Sequence, residues 1–174
     1  LKSETKTEDV SLRDVMRTFP QGVVVVTASG DEGPRGITVS SFLSVSLTPP
    51  LVLVAIHNQA RAHAAIDRGT FLVNVLGEHQ GAVSDHFATP KLSSEEQFQG
   101  EGSGRKIHGL RAIDGCLGYL ACKVVGRVEQ GDHTMFIGEV EHAELGEDRD
   151  RKPLVFFSRA YWGLGDTVHD RDRG

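Results

Sequence analysis

Two short stretches carry most of the side chains that could hold a small molecule. Gly36-Ile37-Thr38-Val39-Ser40-Ser41 sets a glycine ahead of three hydroxyl-bearing residues. A glycine lets backbone come close to a ligand, and amides flanked by hydroxyls can hydrogen-bond the edge of a planar heterocycle. The same pattern also suits a polar edge strand of a barrel. Gly131-Asp132-His133 is a turn between two apolar runs, an exposed place from which a histidine can reach a bound molecule.

Other chemistries have no foothold. Gly102-Ser103-Gly104 and Gly163-Leu164-Gly165 lack the third glycine of a dinucleotide fingerprint, and no Walker loop or Gly-x-Ser-x-Gly elbow occurs. No metal is expected. Two ligands on one helix face sit four apart, whereas the closest histidines are His57 with His63 and His79 with His86. Cys116 and Cys122 fall in a strand-like run, which would hold their Cα atoms about 20 Å apart. A disulfide spans no more than about 7 Å, so they read as two small apolar thiols in a reducing cytoplasm.

The elements that must position these residues are mostly strands. Ser11 can cap a short helix carrying Leu12, Val15 and Met16, with Asp14 completing a capping box and Pro20 ending it. Val23 to Val26 is a β-branched run suited to a strand buried on both faces. After a turn at Asp31-Glu32-Gly33-Pro34, one strand is expected from Arg35 to about Leu47, with Leu43, Val45 and Leu47 as its buried face. Leu51 to Ile56 follows, then a helix over Asn58 to Arg68 stopped by Gly69. Phe71 to Leu76 is a strand and Glu78 to Phe87 a helix, and Pro90 to Ile113 reads as one long polar loop. Gly115 to Val128, Met135 to Leu145 and Leu154 to Phe157 complete the strands. About seven strands in runs, with three short helices, favour a closed or partly closed antiparallel barrel over a doubly wound sheet.

Composition narrows the classes. The chain has 174 residues, 39% hydrophobic and 25% charged, with 20 glycines and a net charge of −5. One core is expected, spanning residues 10–165, with residues 1–9 a disordered tail and 166–174 a charged tail. Scattered Lys and Arg offer no stripe for nucleic acid. No apolar run reaches the roughly 18–20 residues needed to span a bilayer, and no secretory signal is visible, so a cytoplasmic chain is expected.

Several segments, taken in order, resemble the short-chain NAD(P)H:flavin reductases, reductase components of two-component flavin-dependent monooxygenases. They begin with Phe19-Pro20-Gln21-Gly22-Val23 and Thr38-Val39-Ser40-Ser41-Phe42-Leu43-Ser44-Val45-Ser46. Pro49-Pro50-Leu51-Val52-Leu53 and Phe71-Leu72-Val73-Asn74-Val75-Leu76 follow. Gly131-Asp132-His133-Thr134-Met135-Phe136 and Pro153-Leu154-Val155-Phe156-Phe157 close the series. The resemblance implies a mainly β fold, a split β-barrel of Greek-key type that binds FMN or FAD, and a homodimer.

It also implies roles. Gly36, Ile37, Thr38, Val39, Ser40 and Ser41 would hold the flavin ring and ribityl chain. His57, Asn58, Gln59, Ala60 and Arg61 would take the phosphate, where a helix start offers free amides. Phe87 matches an aromatic near the ring or adenine end. His133 would contact the nicotinamide nucleotide and stands as the catalytic residue. Arg159, Tyr161, Trp162 and Gly163 would flank it, with Trp162 where the family has tyrosine. A solvated helix charge remains an equal reading for Arg61, as does plain core packing for Phe87.

The implied activity is hydride transfer from NADH or NADPH to flavin N5, with reduced flavin passing to a partner monooxygenase. The cofactors carry that chemistry, which agrees with the lack of a triad or metal motif. The alternative is a non-enzymatic flavin- or haem-binding split barrel. Oxidation of a vitamin-B6 phosphate would want more Arg and Lys than Arg61 supplies.

Overall fold

The structure is a computed structural model that describes residues 10–100 and 104–167. The proposed tails 1–9 and most of 166–174 lie outside the described residues. In chain order the first elements are α1 (Leu12–Met16), β1 (Gln21–Gly22), β2 (Val24–Gly30), β3 (Gly33–Val39), β4 (Phe42–Leu47) and β5 (Pro50–His57). Next come α2 (Arg61–Asp67), β6 (Thr70–Val75), a 3-10 turn at Glu78–Gln80, α3 (Gly81–Ala88) and α4 (Ser94–Phe98). β7 (Lys106–Ile107), β8 (Leu110–Arg111), β9 (Gly118–Gln130), β10 (His133–Leu145), β11 (Val155–Phe157) and β12 (Ala160–Trp162) complete the fold.

Seven strands form one antiparallel sheet in the order β3-β2-β6-β9-β10-β5-β4. Its two edge strands, β3 and β4, are joined by only Ser40 and Ser41. Two residues cannot bridge the width of a flat seven-stranded sheet, because strands lie about 4.8 Å apart. The sheet therefore rolls until its edges meet, which gives the expected mainly β barrel with an unpaired seam between β3 and β4. Ser41 anchors the crossing to β5: its Oγ donates to Ala55 O at 2.7 Å, and its carbonyl accepts from Ala55 N at 3.2 Å.

The β-branched run at the start of β2 explains the core. Val24 and Val26 face one apolar cluster with Val54, Ile56, Phe71 and Phe136, while Val23 and Val25 face another with Leu72, Phe87, Phe98 and Tyr119. The first cluster lies inside the rolled sheet, where α2 inserts Ala62, Ala65 and Ile66. The second lies under α3, α4 and the β7–β8 hairpin. A strand with a core on each side must be apolar throughout, as this one is.

Four expectations need correction. The single strand from Arg35 to Leu47 is two strands, because the chain passes from one sheet edge to the other at Ser40-Ser41. The apolar face of Leu43, Val45 and Leu47 is not buried: they are 56%, 48% and 87% exposed on an edge strand with a bulge between Ser44 and Ser46. The helix placed from Asn58 begins at Arg61, because Asn58 N donates to Asp132 O at 2.9 Å and ties residue 58 to the barrel end. The long loop from Pro90 to Ile113 contains α4 and the β7–β8 hairpin; α4 starts at a capping box, Ser93 Oγ accepting from Glu96 N at 3.1 Å.

Candidate functional site

The residues singled out from the sequence fall into four neighbourhoods. The first is a cavity of about 290 Å³ lined by Gly36, Ile37, Gln59, Ala60, Arg61 and Phe87, and closed by residues 88–92 and Gln97. β3 supplies Gly36 and Ile37, the start of α2 supplies Ala60 and Arg61, and α3 supplies the buried Phe87, which meets His86 and Phe98 edge to face. A Cβ at residue 36 would lie 2.5 Å from Phe87 Cδ1, so glycine is needed here for the ring of Phe87 to reach β3. Arg61 also lines a neighbouring cleft of about 500 Å³ with Arg35 and Arg68. In that cleft Arg35 pairs with Glu32 at 2.9 Å and Arg68 pairs with Asp31. The Ala60 cap makes no side-chain hydrogen bond, which leaves the first amides of α2 without a side-chain acceptor.

The second neighbourhood is the seam. Thr38, Val39, Ser40 and Ser41 run through it, and their hydroxyls are engaged within the chain. Thr38 Oγ1 donates to Ser84 O at 2.6 Å, Ser40 Oγ to Gln21 Oε1 at 3.2 Å and Ser41 Oγ to Ala55 O at 2.7 Å. Each hydroxyl oxygen keeps acceptor capacity.

The third is the barrel end where β5 meets β10. His57 and His133 are register partners, with rings edge to face and centroids 5.3 Å apart. Gly131, at φ +61, turns the chain there. His133 Nδ1 lies 2.6 Å from Asp132 Oδ1, and His57 Nε2 lies 3.7 Å from Asp132 Oδ2. Gln59 N donates to His57 Nδ1 at 3.1 Å, which leaves the ring hydrogen of neutral His57 on Nε2, facing Asp132. The hydrogen bond from His133 holds the Asp132 carboxyl below its ordinary value of 3.8. Asn58 is part of this end as well: Thr134 Oγ1 donates to Asn58 Oδ1 at 2.9 Å and lies 2.9 Å from His63 Nε2.

Arg159, Tyr161, Trp162 and Gly163 form a separate turn. Ser158 and Arg159 have φ of +49 and +67. Tyr161 Oη donates to Asp85 Oδ1 at 3.0 Å and lies 2.8 Å from Ser84 Oγ; burial, together with Asp85, pushes the phenol up. Trp162 is 54% exposed, with its indole N–H on Phe157 O at 3.0 Å. Gly163 leaves room for the Glu78 carboxylate. Among the described residues, no hydrogen bond, ion pair or ring contact joins this turn to His133.

Sequence reasoning missed Leu92 and Gln97, which help to wall the cavity. The Ser93-x-x-Glu96 spacing was a visible helix-start signal in the supposed loop. Nothing local marks Gln97, whose partner Gly36 is distant in sequence. Among the described residues no group of three or more His, Cys, Asp or Glu side chains is arranged to hold a metal ion.

Comparison with known proteins finds relatives over most of the chain. The reductase component of a 4-nitrophenol 4-monooxygenase/4-nitrocatechol 2-monooxygenase from Rhodococcus opacus is 37% identical over 151 residues, 86% of this chain and 78% of that protein. An NADH-dependent FAD reductase from Streptomyces globisporus is 42% identical over 139 residues, 75% of this chain and 73% of that protein. The solved structure of a Streptomyces globisporus NADH:FAD oxidoreductase, in complex with NAD and FAD fragments, superposes with a TM-score of 0.81 at 36% identity, covering 91% of this chain and 93% of that one. Residues 16–165 match the model of the flavin reductase like domain, and the chain belongs to that family.

Proposed function

We propose that this chain is an NADH-dependent flavin reductase that supplies reduced FAD or FMN to a partner monooxygenase. The observation that carries the reading is the cavity between β3, α2 and α3. It gathers Gly36, Ile37, Gln59, Ala60, Arg61 and Phe87, six residues scattered over the sequence, around one space. Its walls fit a flavin. Ile37 and Ala60 offer apolar surface to a flat ring, Phe87 backs β3 from the core, and Arg61 offers a guanidinium to a phosphate. At about 290 Å³ the cavity suits part of a dinucleotide, and the adjoining cleft past Arg61 gives the remainder somewhere to lie.

A bound flavin supplies the N5 acceptor for the nicotinamide hydride. The chain's own residues position, and do not act as nucleophile or base. In this reading Thr38, Ser40 and Ser41 offer hydroxyl oxygens along the seam. His133, oriented by Asp132, meets the nicotinamide nucleotide from the barrel end, and Arg159, Tyr161, Trp162 and Gly163 border the same substrate from their turn.

Among the described residues no contact joins that last turn to His133, and the reading includes a homodimer whose partner could bring the two together. Leu43, Val45 and Leu47 on β4 support it, since an exposed apolar edge strand invites a partner. We assign the protein to the cytoplasm, where Cys116 and Cys122 would stay reduced.

The test is the loss of NADH absorbance on mixing the purified protein with NADH and either FMN or FAD. Turnover well above the uncatalysed rate is expected. No turnover with either flavin, using NADH or NADPH, rejects the reading, and flavin binding without turnover favours a non-enzymatic binder.

A further inference from the structure

β3 is an edge strand, so its outer backbone groups need partners from elsewhere. At Gly36 a side chain supplies them. Gly36 N donates to Gln97 Oε1 at 3.2 Å, and Gln97 Nε2 donates back to Gly36 O at 3.1 Å. The carboxamide copies the donor and acceptor of a peptide and pairs with Gly36 as a neighbouring strand would. Gln97 is only 7% exposed, so this pair is shielded from water.

The rest of the segment is pinned along the same line. Ser94 Oγ donates to Pro34 O at 2.8 Å. Leu92 O accepts from Arg35 at 3.3 Å and from Arg61 at 3.1 Å. Gln97 O lies 2.9 Å from His86 Nε2, and Phe98 packs edge to face on Phe87 with centroids 5.3 Å apart. Residues 92–98 therefore form a strap across β3, α2 and α3, the three elements that line the cavity.

We propose that Gln97 is a positioning residue for flavin: its carboxamide, paired with Gly36, clamps the strap that forms one wall of the flavin cavity. This rests on the functional reading above. Gln97 need not touch the reacting atoms. It sets the distance between β3 and the strap, and so the width of the slot into which a flat ring must fit. Polar pairs at such walls fix shape, because leaving either Gly36 group unpaired in a buried place is costly.

The experiment compares wild type with Gln97→Ala and Gln97→Glu. Glutamate keeps the shape and still accepts from Gly36 N–H, but when ionised it cannot donate to Gly36 O. Three readouts are taken: binding of FMN and FAD by fluorescence quenching, amide hydrogen exchange of the flavin-free chain, and steady-state rates. Gln97→Ala is expected to raise the flavin Kd roughly tenfold, as loss of two hydrogen bonds implies. Protection should fall at the Gly36 amide and across residues 92–98. At saturating flavin and NADH, kcat should stay within about twofold, which separates positioning from chemistry. Gln97→Glu should fall between the two. Melting curves confirm that each variant is folded, and an unfolded Gln97→Ala leaves the isosteric Gln97→Glu to decide.

An unchanged flavin Kd in a variant whose strap exchanges faster overturns the proposal, as does unchanged exchange. Tighter flavin binding also overturns it, since the carboxamide would then be competing with the ring for Gly36. A wild-type chain that binds neither flavin rejects the functional reading itself, before any variant is compared.

Discussion

Asp132 holds its neighbour His133 by one ring nitrogen: Nδ1 to Oδ1 is 2.6 Å. A neutral imidazole held in this way keeps its hydrogen on Nδ1 and leaves Nε2 as an acceptor. Asp132→Asn removes the negative charge and releases that preference. The expected result is a several-fold higher KM for NADH with little change in flavin Kd, by steady-state rates and a separate flavin titration. An unchanged KM would take Asp132 out of the site.

The same pair sets a pH dependence. Its hydrogen bond lowers the Asp132 carboxyl below 3.8 in the folded chain. A lowered acid adds stability above its unfolded value and loses it as pH falls through the native value. The bond is therefore expected to be intact from neutral pH down to about pH 4, and to be lost only below that. The side-chain carboxyl carbon of Asp132 reports it in NMR: a carboxyl that titrates above 3.8 would contradict the assignment.

Gly36→Ala puts a methyl group 2.5 Å from the Phe87 ring. Overpacking of this kind costs about 1–3 kcal/mol. A melting temperature lowered by several degrees is expected, with part of the loss recovered by adding Phe87→Leu. An additive double variant would mean that the two residues do not share the space.

Leu43 and Leu47 lie on the exposed side of β4. Leu43→Asp with Leu47→Asp should convert a dimer to a folded monomer, as judged by size-exclusion chromatography with light scattering. A wild-type chain that is monomeric and fully active would exclude the dimer.

Burial pushes both thiols, Cys116 and Cys122, up to about 12. Neither should react with an aromatic disulfide reagent at pH 8 in the folded protein, and both should react after unfolding. Rapid labelling of the native chain would show that one of the two cores opens readily.

Much of this architecture was legible because it depends on local pattern. Val23 to Val26 has no polar position, which only a strand buried on both faces requires, and β2 has a core on each side. The alternation at Leu43, Val45 and Leu47 reported an apolar face correctly, but alternation does not say what covers it. Here the described residues leave it largely exposed. Gly36 illustrates a second limit. Glycine in a hydroxyl-rich strand suggests close approach, and close approach is what forms, yet the nearest atoms belong to Phe87. Gln97 was not legible at all, since its importance arises from a contact with Gly36 that exists only once the chain is folded.

The crossing at Ser40-Ser41 has a mechanical consequence. Two residues between strand ends are nearly inextensible, because successive Cα atoms are fixed 3.8 Å apart. The barrel cannot dilate at that corner to admit a larger molecule. The cavity wall formed by residues 88–92 and Gln97 is different in kind, because there side-chain hydrogen bonds such as that of Gln97 to Gly36 set the spacing. If the cavity takes the flavin, altered size preference is expected from changes at residues 88–92 and Gln97, and flavin analogues of different size would check it.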